Sequence, residues 1–212
     1  MNRFFTPNVD PVDHPDGHVL VVGDIAVMPS TDGKIIPAAG AQVALSVAAS
    51  NRQCALIGFV GNDEIGAALL DQLQCAGVSL DVLPVTDWSS YTVGADVNPD
   101  QPEQQRVLPF NGMSEYQAHL QNRVERAVRN ACALVVVDQG FGSMGDPRAA
   151  VFAAQQTGVP SLALCAASRH DDYLKATRLI SVGPQVDAAL LLQQLRVLGS
   201  MGDDSRSDGV GS

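Results

Sequence analysis

Basic side chains are scarce. The chain carries 13 Lys and Arg against 23 Asp and Glu, a formal net charge of −10. Nucleic acids and anionic membranes are bound through basic faces, so neither is expected as a partner. Long apolar runs are missing too: no stretch reaches the roughly 18 residues that mark a membrane-spanning helix. The segment Met1–Gly17 is polar and holds several Pro and Asp residues, which predicts no signal peptide and a cytoplasmic location. Four cysteines, Cys54, Cys75, Cys132 and Cys165, form no C-x-x-C pair. They read as reduced thiols, mostly buried as small hydrophobes. The four histidines show no H-x-x-x-H or H-E-x-x-H spacing, which sets a zinc site aside.

What remains is apolar enough to fold. With 212 residues, 46% of them hydrophobic, the chain suffices for one well-cored α/β domain. Its clearest unit is a β-turn-α stretch from His18 to Ser50. Val19–Val22 is a short β-branched run, as expected of a strand buried on both faces, and it ends at Gly23-Asp24. A polar loop, Ser30–Lys34, and Pro37 precede a helix of small side chains, Ala38–Ala49. Open α/β sheets bind ligands beyond the carboxyl ends of strands, near helix N-termini. Asp24 and the start of this helix are therefore the first candidate site.

The same alternation continues. Cys54–Val60 reads as a buried strand, followed by helix Glu64–Ala76 with Asp63 as N-cap and Gly77 as its stop. Val78–Val85 is extended. Ser90–Val97 and Arg106–Pro109, joined by a proline-rich turn, predict a β-hairpin flap over about residues 86–110. Helix Ser114–Asn130 leads to the strongest strand, Ala133–Val137, which ends at Asp138. Asp146 caps a helix Pro147–Thr157 with proline at its first position. Strands Ser161–Leu164 and Leu179–Val182 follow, then a helix Pro184–Leu198 with Gln193, Gln194 and Arg196 on its wet side. The reading therefore has a flexible arm at 1–17, a domain at 18–198 and a disordered tail at 199–212. Strands alternating with helices predict a doubly wound, mainly parallel sheet.

Two features compete for function. Gly140-Phe141-Gly142-Ser143-Met144-Gly145 matches G-x-G-x-x-G between a strand and a helix, the pattern of a dinucleotide site in an NAD(P)-dependent oxidoreductase. Asp138 and Asp146 flank it with negative charge where a pyrophosphate would lie. The next strand ends in Leu164-Cys165-Ala166, with no acid to hold a ribose. Asp24 and Asp138, by contrast, both stand at carboxyl ends of strands, where carboxylates accept hydrogen bonds from sugar or polyol hydroxyls.

The order of these pieces resembles that of the ribokinase-like (PfkB) carbohydrate kinases. Val21-Val22-Gly23-Asp24, the helix Pro37–Ala49, Ile57–Gly66 and Ala76-Gly77-Val78 carry the resemblance to the N-terminal half. Ala133–Gly142, Thr157–Pro160 and Tyr173–Val182 look most like the heptose 7-phosphate kinase branch. The resemblance implies a three-layer α/β/α sandwich with a small β flap, often paired in a homodimer, and ATP with magnesium as cofactors. It places substrate-binding residues at Asp24, Gly40, Gln42 and Asp138. The departures are many. The Gly-Gly-Ala-Ala-Asn sugar turn is Ala38-Ala39-Gly40-Ala41-Gln42, and the second acid falls at Val27 or Met28. The basic lid residues fall near Gly94 and Asp96, and the metal-associated Asn and Glu fall at Val182 and Gln185. The Gly-Ala-Gly-Asp anion hole and base would follow residue 190, and the chain instead passes into a Gly/Ser/Asp tail at 199–212. The expectation is thus a truncated, catalytically impaired homologue with no assignable catalytic residue, binding a sugar, a sugar phosphate or a protein partner. The alternative is an active ATP-dependent sugar kinase completed by another chain.

Overall fold

A computed structural model describes residues 17–30, 34–86, 88–93 and 113–207. The run Val19–Val22 lies inside strand His18–Gly23 (β1), with Leu20 and Val22 in one core and Val19 and Val21 in the other. β1 is flanked by Cys54–Gly61 (β4) and Ala131–Asp138 (β6), both parallel to it. Ser79–Val85 (β5) joins β4; Ser161–Cys165 (β7) and Arg178–Ser181 (β8) extend the β6 side. The order is β5-β4-β1-β6-β7-β8, parallel throughout. Such strands are covered on both faces, which is why they read as continuous apolar runs rather than alternations.

Helices supply the two covers. On one face lie Ala39–Ala49 (α1), Glu64–Cys75 (α2) and Ala188–Ser207 (α5), through Val43 and Val47, Leu69 and Leu73, and Leu191, Leu195 and Leu198. On the other lie Met113–Ala127 (α3) and Pro147–Thr157 (α4), through Leu120 and Val124, and Val151 and Ala154. The expected caps are in place: Asp63 accepts from the Gly66 amide at 2.7 Å, and Asp146 accepts from the Arg148 amide at 3.0 Å. Among the described residues no helix is long and apolar enough to cross a membrane. Cys54 and Cys165 are buried and Cys75 is exposed.

Three readings are corrected. A small ribbon is present, built from Ile25–Pro29 (β2) and Ile35–Ala38 (β3), paired antiparallel; the sequence reading assigns no strand to either segment and starts the helix at Ala38. Residues 91–93 run beside it: the Val27 amide donates to Tyr91 O at 2.9 Å and the Val93 amide donates to Val27 O at 2.8 Å. The outer part of the predicted hairpin lies outside the described residues, as does the arm at 1–16. The last helix, α5, spans Ala188–Ser207, where the sequence predicts Pro184–Leu198. Finally, Gln194 is not on the wet side of α5; it is 9% exposed, and its Oε1 has no partner among the described residues.

Candidate functional site

At the carboxyl end of β1 the chain passes within touching distance of β6. Gly23 holds φ +128, and a Cβ there would sit 2.1 Å from Val137 O. Only glycine fits, and it allows the Asp24 amide to donate to Val137 O at 2.8 Å. Asp24 is thereby turned into the molecule and has no exposed surface. The Gly40 amide donates to Asp24 O at 2.8 Å, and a Cβ on Gly40 would stand 2.7 Å from that oxygen. Gly40 thus contributes to the site through its backbone, by letting α1 start against Asp24.

The Asp24 carboxylate is fully engaged. Its Oδ2 accepts from the amides of Gln139, at 2.7 Å, and Phe141, at 3.0 Å. Its Oδ1 accepts from the Ser143 amide at 3.2 Å and from the Ser143 hydroxyl. Burial and the neighbouring charge of Asp138 push its pKa up to about 6 from an ordinary value of 3.8, although these hydrogen bonds pull the other way.

Asp138, 2% exposed, is engaged as fully. Its Oδ1 accepts from the Gly140 amide at 2.9 Å. Its Oδ2 accepts from Arg169 Nε at 3.1 Å and from the Tyr173 hydroxyl at 2.8 Å. Burial first, and then the charge of Asp138, push the Tyr173 phenol far up, so it stays a neutral donor. The two carboxylates therefore hold the loop after β6 by its amides at 139, 140, 141 and 143. From α3, Gln117 Nε2 donates to Gly142 O at 2.7 Å, and the Phe141 ring stacks on Tyr91 with centroids 3.7 Å apart.

Gln42, the last candidate, faces a different segment. Its Nε2 donates to Val186 O at 3.1 Å and its Oε1 accepts from the Val186 amide at 2.9 Å. The Ala39 amide, in the first turn of α1, donates to Pro184 O at 2.8 Å. The helix start expected to face a ligand is thus covered by residues 184–186. Of the four candidates, Asp24, Gly40 and Asp138 are brought to one place, and Gln42 is turned to the α5 side.

Sequence reasoning missed Ser143, Arg169 and Tyr173 as parts of the site. Ser143 sits inside the glycine motif, where a hydroxyl beside flexible backbone is a usable signal; Arg169, in a 3-10 turn, gave none. The dinucleotide reading does not survive this geometry. The amides of 139, 141 and 143 that would cradle a pyrophosphate are bound to Asp24, and Asp146 occupies the N-cap of α4. ATP and magnesium are no better served. Val182 and Gln185 bring no carboxylate, and the Val182 amide is used by Cys165 O at 2.9 Å. Among the described residues no three His, Cys, Asp or Glu side chains gather where a metal ion could be held. At Val182 and Gln185, therefore, the described residues offer no carboxylate to a magnesium ion.

The sheet order, the helices on both faces and the small ribbon beside β1 define a ribokinase-like α/β/α fold. Solved structures bear this out. A carbohydrate kinase from Agrobacterium tumefaciens aligns with a TM-score of 0.51 at 15% identity, over 86% of this chain and 67% of that one. A Thermotoga maritima protein described as a possible 1-phosphofructokinase aligns with a TM-score of 0.55 at 13% identity, over 75% and 57%. At these identities the likeness speaks for the fold. Among curated proteins, the "Bifunctional protein HldE" of Shewanella denitrificans is 28% identical over 196 residues, 87% of this chain and 40% of that protein. A "Fructokinase" of Escherichia coli is 36% identical over 91 residues, 40% of this chain and 29% of that protein. No family model matches the chain. The chain thus has the ribokinase-like fold and is similar in sequence to these curated proteins, of whose length it spans less than half.

Proposed function

We propose that this chain is a carbohydrate-kinase homologue impaired in phosphoryl transfer, acting by binding a small polyol, a sugar or a protein partner. One observation carries the impairment: Asp24, the strand-end acid of the resembled sugar site, directs both carboxylate oxygens to its own chain. A carboxylate whose acceptor positions are filled by backbone amides has none left for a ligand hydroxyl in this conformation. The absence of carboxylates at Val182 and Gln185 supports the same conclusion, because phosphoryl transfer needs a held metal and positioned phosphates.

The short span of the chain on its curated relatives favours a second reading, in which the sugar-kinase activity is completed by residues elsewhere. A coupled assay for ADP release separates the two. With ATP, magnesium and D-fructose this chain is expected to show no sugar-dependent ADP. Sugar-dependent release that disappears in Asp24→Ala would overturn the first reading.

A further inference from the structure

The loop Gln139–Ser143 sits where a ligand would be recognised and contacts Asp24 as a ligand would. Ser143 presents one hydroxyl to Asp24 Oδ1, as a sugar hydroxyl does, and three amides complete the shell. The Phe141 ring, stacked on Tyr91, closes the apolar side. From this geometry we infer that Gln139–Ser143 is an autoinhibitory clasp, an internal stand-in for a polyol that must swing out before Asp24 can take a ligand.

Three further features fit a loop that opens. Phe141 is flanked by Gly140 at φ +82 and Gly142 at φ +92, two residues whose backbone crosses between basins at low cost. A Cβ at Gly140 would meet nothing within 4 Å, so glycine is kept there for its backbone and not for want of space. The closed state is also imperfect: Gln139 Nε2 is buried without a hydrogen-bond partner among the described residues. A buried orphan donor penalises the closed form and is relieved when the loop reaches water. Every loop contact to Asp24 is of a kind that a hydroxylated ligand can replace.

The clasp rests on the binding reading above, and it fails separately from it. D-fructose serves as the polyol probe, titrated calorimetrically into the full chain and into a Phe141→Ala/Ser143→Ala variant. The variant is expected to bind at least about tenfold more tightly, since it lacks the internal competitor. Equal affinities, or a folded variant that binds no fructose, would overturn the clasp. Neither result touches the ADP assay that tests the kinase reading. Should the double variant fail to fold, amide exchange in Ser143→Ala keeps the question open to test. Faster exchange at Gln139 and Phe141, quickened again by fructose, supports the clasp. Exchange that fructose leaves unchanged or slows contradicts it.

Discussion

At the scale of single residues, the site is decided by how one acid is oriented. Asp24 is legible as a candidate because a carboxylate after a buried strand and a glycine is uncommon and costly to bury. Its use is not legible. The partners that fill it lie more than a hundred positions away, Ser143 at a separation of 119, and no local pattern announces that they meet. Ala39 is a second case. The resembled turn has glycine here, and Ala39 holds φ +49 while buried. A left-handed backbone costs an L-residue about 1–2 kcal/mol, partly offset by the unfolded-state freedom that glycine adds. Ala39→Gly is therefore expected to stabilise the chain by about 0.5–1 kcal/mol, read as a higher urea midpoint. A lower midpoint would show that the Ala39 methyl packs more favourably than its backbone is strained.

Elements were read best where periodicity is long. α2 and α4 fall within a residue or two of expectation, since each has a carboxylate cap and a left-handed glycine beyond its end. β2 and β3 went unread for a physical reason. Ile25, Ala26 and Val27 are all buried, because the ribbon is covered by the core and by residues 91–93, so no alternation survives. Pro37 also argues against a strand; it is tolerated because β3 is the edge of the ribbon. α1 is joined to the segment preceding α5 by the paired bonds of Gln42 to Val186. Gln42→Ala leaves the Val186 amide and carbonyl without that partner and should cost about 1–3 kcal/mol. The Val186 amide should exchange faster in the variant. An unchanged midpoint and exchange rate would mean that water replaces Gln42 without penalty.

For the whole molecule, the parallel doubly wound sheet was legible from the alternation of apolar runs and capped helices. The closure of the site was not, since it joins the ends of β1 and β6, α3, and the 3-10 turn holding Arg169 and Tyr173 in three dimensions only. That closure has a global consequence. Asp24 has a folded pKa of about 6 against an ordinary 3.8, so the folded chain holds a proton that the unfolded chain releases. Asp24 therefore adds nothing to the pH dependence below about pH 4. It lowers stability as pH rises through about 6, by about 3 kcal/mol in full. The measurement that tests the inward commitment of Asp24 most directly is the unfolding free energy in urea against pH, for the native chain and Asp24→Asn. Asparagine at this position does not titrate, and the difference between the two profiles isolates the contribution of Asp24. Between about pH 4.5 and about pH 7 the native chain should lose about 2 kcal/mol relative to the variant. Parallel profiles over that range would contradict the account, since they would mean a solvated Asp24 carboxyl that titrates alike folded and unfolded.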